Sequence, residues 1–399
     1  MPMAAMFATM LLVQIVINAS RPMVSYRALG LGADAVDLGI ISASFGLISL
    51  IAALPLGDAV DRYGSKKFIV SATLVLAFAC VALALSNSIW IIIVMQSIFG
   101  LALMMVAIGC QTLVANAGPD ISSEARFAIF TAVVSLGQLF GPLVGGVLAE
   151  GAIALDLRAA DDTYATTAVF VVLAFVSVAA FVPSLFIREG PPSRQAGSKK
   201  VTAAEFGRAM KAPGMFHAMF ASLVVLSVLD LLMVYLPAWG EEKGWSVGFV
   251  SALLAVRAAA SFAVRMVMQP MITHWGRRWP MAIGSAVGAI SLGCIQFVDW
   301  APLLIAMMIV SGFILGISQP LTMAWVSRIA PLRLRSTALA VRLLANRFGQ
   351  VIVPIVVGSV AGFAGTAAIF TSLAILLGST SVMVARSQID DAVAGANDE

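Results

Sequence analysis

Long apolar runs dominate this chain, broken at short intervals by glycine, proline and charge. Twelve of them fall at 3–20, 38–57, 68–86, 90–115, 127–149, 164–187, 214–238, 247–269, 280–298, 302–326, 337–361 and 366–385. Each is long enough, at about 1.5 Å per residue, for a helix to cross a hydrocarbon core about 30 Å thick. Inside lipid a backbone must satisfy its own hydrogen bonds, so runs of this kind predict helices. The one long polar stretch, 188–213, is rich in Pro, Gly and Ser and reads as a linker whose tail forms a short surface helix. It predicts six spans on either side. The apolar run begins by residue 3, with no basic leader or small-residue cleavage pattern, so it is read as the first span.

Charge adds an orientation. Twelve spans put both ends of the chain on one side. That side carries Arg62, Lys66, Lys67, Arg126, Arg188, Arg194, Lys199, Lys200, Arg208, Lys211, Arg277, Arg278, Arg328, Arg333, Arg335 and Arg386. The other side carries only Arg21, Arg27, Arg158 and Lys243, and Arg257, Arg265, Arg342 and Arg347 fall within spans. Basic residues stay in the cytoplasm, so both termini and the linker are expected there, in a multi-pass protein of the cell (inner) membrane. The expected organisation is a six-helix bundle over 1–187, a cytoplasmic linker over 188–213, a second six-helix bundle over 214–385 and an acidic cytoplasmic tail over 386–399.

Composition sharpens what is excluded. The 399 residues are 61% hydrophobic and 11% charged, with a mean hydropathy of +1.01. A soluble enzyme and a disordered chain are both incompatible with those values. The net charge of +4 reflects the sidedness of the loops and signals no nucleic-acid partner. Cys80, Cys110 and Cys294 form no close pair, and with only His217 and His274 no metal site or cofactor is expected. No G-x-x-x-x-G-K-[ST] phosphate loop is present, which argues against nucleotide drive. No nucleophile–base pair marks a membrane enzyme either.

The two halves repeat at an offset of 212 residues. Gly64, Gly100, Pro119, Gly137, Gln138, Pro142 and Gly146 match Gly276, Gly312, Pro331, Gly349, Gln350, Pro354 and Gly358. Parallel six-span repeats imply two bundles related by an axis along the membrane normal, with a binding site between them near the midplane.

Two motifs carry a resemblance. After span 2 the chain reads Gly57-Asp58-Ala59-Val60-Asp61-Arg62-Tyr63-Gly64-Ser65-Lys66-Lys67. Span 5 contains Gly137-Gln138-Leu139-Phe140-Gly141-Pro142-Leu143-Val144-Gly145-Gly146. The first resembles the loop 2–3 signature of the major facilitator superfamily, G-x-x-x-D-R-x-G-x-K. Gly57, Asp61, Arg62, Gly64 and Lys66 match it, and Ser65 stands where a second base is common. The second resembles that family's antiporter motif. Over the whole chain the resemblance implies an all-α fold of twelve transmembrane helices in two pseudo-symmetric bundles. It also implies a conformational latch at the first motif and helix packing by Gly137, Gly141, Pro142, Gly145 and Gly146 at the second. Small residues at i+4 spacing allow helices to approach closely. The span 5 glycines are expected to meet the small-residue stripe Ser251, Ala255, Ala259 and Ala263 of span 8 when the outer side is closed. One departure stands out. Drug exporters of the family often carry an arginine four residues before a glycine in span 4, and here Gln96 precedes Gly100.

Charge within a span is costly and points to function. Asp230 lies mid-span 7, Arg257 mid-span 8 and Arg347 mid-span 11. The trio has one positive charge in excess, which the carboxylate of a substrate would balance. The arrangement is similar to organic-anion members of the family with bases in spans 8 and 11. Asp230 is either a titrating proton-coupling acid or a fixed counterion. Arg265 and Arg342 lie nearer the cytoplasm and are expected to snorkel or join the latch. Gln14, Asn18, Gln138 and Gln350 complete the candidate substrate-binding set, with Asn346 and Gln319 behind them.

The chain is therefore read as a monomeric secondary active transporter that moves a small organic solute by alternating access through the lipid bilayer. The first reading is proton-coupled efflux, by antiport, of drug-like or amphipathic metabolites. The alternative is an organic-anion (carboxylate) transporter or exchanger using Arg257 and Arg347. A counter-solute replaces the proton in an exchanger. A non-transporting membrane sensor is the remote third reading.

Overall fold

The computed structural model describes residues 2–115, 123–154, 162–189, 207, 214–329 and 335–387. Twelve helices among them are long and apolar enough to cross a membrane. They are α1 (Pro2–Gly30), α2 (Ala35–Tyr63), α3 (Ser65–Ala84), α4 (Ile89–Ala115), α5 (Ser123–Ala154), α6 (Asp162–Leu185), α7 (Met215–Glu242), α8 (Val247–Trp275), α9 (Arg278–Cys294), α10 (Ala301–Ile329), α11 (Arg335–Ala364) and α12 (Ala367–Arg386). A short 3₁₀ turn, Ile295–Phe297, extends α9, and no strand occurs among the described residues. The protein is a multi-pass, all-helical membrane protein. Most of the 188–213 linker, Pro119, Pro331 and the tail beyond Ser387 lie outside the described residues.

The chain forms two compact units, Met1–Lys199 with Met233–Ala255, and Lys200–Leu232 with Val256–Glu399. A partition at the linker alone differs from this in one respect. The segment Met233–Ala255, which ends α7 and begins α8, packs with the helices of the first half. Specific contacts hold it there. The Tyr235 hydroxyl donates to the carbonyl of Ala35 at 2.8 Å, and Ser246 and Gly248 bond Glu150 of α5.

The 212-residue offset is built into the backbone. Helices α2 and α8 begin at Ala35 and Val247, α4 and α10 at Ile89 and Ala301, and α5 and α11 at Ser123 and Arg335. The turns repeat as well: Gly32 and Gly244 sit at φ 83° and 68°, Gly64 and Gly276 at 92° and 69°. Those left-handed conformations are available to glycine at little cost. Neighbour relations recur in the same way, α3 on α4 and α6 in one unit, α9 on α10 and α12 in the other. One helix crossing repeats residue for residue. A Cβ on Gly100 would strike the carbonyl oxygen of Phe45, and one on Gly312 would strike that of Arg257, the equivalent position.

Helix α1 runs ten residues past the expected end of its span, because two arginines assigned to an outer loop are instead buried helix residues. Arg21 lies over the ring of Phe45, 4.6 Å from its centre. Arg27 is 2% exposed. It donates to the carbonyls of Ser86 at 2.6 Å and Ala84 at 3.2 Å, and to the Thr167 hydroxyl at 2.8 Å. One guanidinium thus ties α1 to the end of α3 and the start of α6. Its fork of donors suits several acceptors at once. Arg27→Leu is expected to cost about 1–3 kcal/mol by leaving these carbonyls without their charged donor, read as a lowered melting temperature in detergent.

Around the loop 2–3 motif, α2 and α3 are joined by Gly64 alone. The Lys66 ammonium donates to the Leu185 carbonyl at 2.6 Å, and the Lys66 amide donates to Glu189 at 2.9 Å. Glu189, just past α6, thereby places a carboxylate at the positive N-terminus of α3. A Cβ at Gly64 would crowd that carboxylate, 2.6 Å from its Oε2. Gly57 lies within α2, and Arg62 stacks on Tyr63, 5.3 Å from the ring centre. The Asp61 side chain lies outside the described residues.

Candidate functional site

The polar centre of the second unit is assembled by α7 and α11. Gly349 has no Cβ, so Leu223 of α7 seats directly on α11. Two turns further along α7 is Asp230, and next to Gly349 is Gln350. The Gln350 amide nitrogen donates to Asp230 Oδ2 at 2.5 Å. Its amide oxygen accepts from Arg347, one turn back on α11, at 2.7 Å. Arginine only donates and an ionised carboxylate only accepts, so the amide between them fits in one orientation. The result is a directed relay, Arg347 to Gln350 to Asp230. Asp230 is 6% exposed and Gln350 5%.

The remaining polar groups of this unit sit around α10 and α11. Arg257 is buried on α8 where that helix crosses α10; nearby, Ser261 donates to the Gly312 carbonyl at 2.7 Å. Arg342 is buried too, and donates to the Gln319 side chain at 3.0 Å and to the Thr322 hydroxyl at 3.1 Å. It does not snorkel to an interface, because neutral acceptors of α10 hold one terminal nitrogen of its guanidinium in place. Arg265 is half-buried. Asn346 is buried beside Arg347, and its side-chain oxygen has no partner among the described residues.

In the first unit the candidates serve a helix contact. Asn18 donates to the Gln14 backbone at 2.8 Å and side-chain oxygen at 3.2 Å. These two residues receive the span 5 glycines: Gly137 lies on Gln14, Gly141 on Asn18 and Gly145 on Ala19. The three-glycine face of α5 therefore meets α1, and its meeting with the span 8 stripe stays an expectation for the state closed on the outer side. Only Gly146, a quarter-turn away, meets Ser251 of α8. Gln138 is half-buried. Gln96 is fully buried in α4, and neither end of its amide has a partner among the described residues. No group of three His, Cys, Asp or Glu residues capable of holding a metal occurs among the described residues.

Glu150 and Glu189 stand out by no pattern in the sequence, and Arg21 and Arg27 read there as outer-loop bases. The one hint at Glu150 is its place a turn after the last motif glycine; the Ser-Val-Gly helix start that it meets is set by the fold. For Arg21 and Arg27 hydropathy pointed the wrong way, since their charges end an apolar run.

The repeated helices, with a buried polar relay inside the second unit, define the class, a secondary transporter. The family model described as Major Facilitator Superfamily matches residues 6–264 and 218–395, and the chain belongs to that family. It is 22% identical over 361 residues to a Na(+), Li(+), K(+)/H(+) antiporter of Planococcus maritimus, covering 83% of this chain and 84% of that protein. It is 27% identical over 120 residues to the quinolone resistance protein NorA of Staphylococcus aureus, about a third of either chain (30% and 31%). Among solved structures, the nucleoside transporter NupG aligns with a TM-score of 0.75 at 14% identity, covering 96% of this chain and 97% of that one. A D-xylose-proton symporter aligns at 0.74 and 13%, covering 97% and 98%. At such identities the solved structures establish a shared fold.

Proposed function

We propose that this chain is a proton-coupled antiporter of the inner membrane, exporting a small organic solute, with Asp230 as the coupling acid. The relay from Arg347 through Gln350 to Asp230 carries this reading. Antiport requires proton and solute to disfavour one another's binding, a coupling that is reciprocal by linkage. An ionised Asp230 accepts from Gln350 and keeps that amide turned toward Arg347. A protonated Asp230 is a weaker acceptor and a donor in its own right, so the hold on Gln350 loosens and Arg347 loses a fixed partner. The protonation state is thus transmitted to α11 by a single side chain. The relative named an antiporter supports exchange against protons, and the one named a quinolone resistance protein supports an organic solute. Sixteen basic residues on one side against Arg158 and Lys243 on the other, with Arg21 and Arg27 inside α1, favour cytoplasmic termini. The loop 2–3 residues Gly57, Asp61, Arg62, Gly64 and Lys66 serve as the conformational latch, and the chain works as a monomer.

The test is dye-monitored proton movement in reconstituted liposomes. Adding a transported solute is expected to release protons from the side it enters, and Asp230→Asn is expected to silence that signal. Solute flux with no proton movement in the wild type would overturn the antiport reading.

A second reading rests on charge. Asp230 shares its unit with buried Arg257 and Arg342 and with Arg347. An anionic solute would balance that excess. Arg257→Ala and Arg347→Ala are each expected to abolish carboxylate-induced thermal stabilisation if this reading holds, since a ligand stabilises only through the state it binds. Unchanged shifts in both variants would remove it.

A further inference from the structure

Helices α2 and α8 begin at equivalent positions of the repeat, yet their N-termini are satisfied differently. The α2 terminus is capped locally, by Asp34 accepting from Val36 and Asp37 at 2.8 and 2.9 Å, with Asp37 returning the bond to the Asp34 amide. The α8 terminus has a local cap as well, because the Ser246 hydroxyl accepts from the Phe249 amide at 3.1 Å. It also takes a carboxylate from another helix. Glu150, in the last turn of α5, accepts from the Ser246 hydroxyl at 2.6 Å and from the Gly248 amide at 3.0 Å, both on one oxygen. The first amides of a helix lack partners and carry its positive end, so an anion is favoured there. Gly248 makes room for it, since a Cβ at that position would overlap the carboxylate. One turn further in, the seam continues with Gly146 against Ser251.

We propose that Glu150 is a positioning residue for transport, a latch that holds the start of α8 on the end of α5 and whose release is the step that opens this seam. The inference rests on the alternating-access reading above. Ser246 caps the Phe249 amide from within the helix, whereas the Gly248 amide is served from α5, so this one bond both completes the cap and joins two helices. Glu150 is solvent-exposed, which suits a bond that must exchange for water in every cycle. Its contacts lie at the end of the first unit that the sidedness of the basic loops assigns to the outside.

The experiment places spin labels at Ile153 of α5 and Val247 of α8 in a Cys294→Ala background, in liposomes, and measures their distance distribution. Glu150→Ala is expected to raise the long-distance, open population about tenfold, equivalent to about 1.4 kcal/mol. Glu150→Gln keeps an acceptor oxygen and loses the charge, so it should fall between wild type and Glu150→Ala. Adding Ser246→Asp to Glu150→Ala restores a carboxylate to the helix end without the tie to α5. A latch predicts that the open population stays high in this double variant. A capping role alone predicts a return to the wild-type distribution, and that result would overturn the proposal, as would an unchanged distribution in Glu150→Ala. Solute-driven proton flux is measured on the same liposomes. Its absence in the wild type, with the Glu150→Ala shift present, would refute the antiport reading and leave the latch standing.

Discussion

Gly312→Leu is expected to abolish accumulation of folded protein, and Gly100→Leu to do the same. At each position a Cβ would collide with a backbone carbonyl, that of Arg257 for Gly312 and that of Phe45 for Gly100. A flexible side chain can swing aside, but a backbone inside a helix cannot, so the two helices must separate. Separation breaks the dispersion contacts along the whole crossing, and in lipid such packing is the main force that holds helices together. At Gly312 it also breaks the bond from Ser261, because the acceptor is the carbonyl of Gly312 itself. Overpacking in a close-packed interior costs typically about 1–3 kcal/mol, and a backbone clash that opens a helix pair exceeds that range. Size-exclusion profiles and melting curves would read the effect. Gly378→Leu, on α12 with nothing near its Cβ position, is the matched control and should leave both unchanged. Well-folded, wild-type-like Gly312→Leu protein would show that the α8–α10 crossing is looser than described.

Asp230→Asn is expected to separate transport from its driving force. Asparagine keeps the size of the side chain and can still accept from Gln350. It carries no charge and takes up no proton. With no proton bound at this site, proton-driven uphill transport is expected to fall to the level of empty liposomes. Downhill exchange of solute needs no proton and should survive. Folding should survive as well, since neutralising a buried acid removes a desolvation cost along with the interaction. A variant that still accumulates solute against its gradient at the wild-type rate would eliminate Asp230 as the coupling acid.

These two expectations come from different kinds of information. Gly100 and Gly312 stand out in the sequence because they repeat at a fixed offset. Their repetition already says that two equivalent helix contacts exist. The coupling acid stands out because charge is rare within apolar runs. What neither signal contains is the partner. Depth and charge group Asp230 with Arg257 and Arg347; the fold adds Gln350, which reaches its carboxylate and joins it to Arg347. Depth is a property of position along one helix. A hydrogen bond depends on the rotation of two helices about their axes, and a helix apolar on nearly every face gives no stripe from which rotation can be read.

The same reason accounts for the span 5 glycines. Their i+4 spacing shows that one face of α5 is thin enough to receive another helix, but not that the helix is α1, with Gln14, Asn18 and Ala19 seated on that face. The end of α1 escaped for a related reason. A charge ends a hydropathic run, yet a helix continues wherever the fold supplies acceptors, as the carbonyls of Ala84 and Ser86 do for Arg27. By itself, the sequence determined what each residue's own properties decide: twelve helices, their lengths to within a turn or two at most ends, and the 212-residue repeat. Only the tertiary structure decided which helix faces which, and with it the Asp230 relay, the burial of Arg27 and the Glu150 tie to α8, because each depends on relative rotation and register, which are set by packing between helices and not by any one of them.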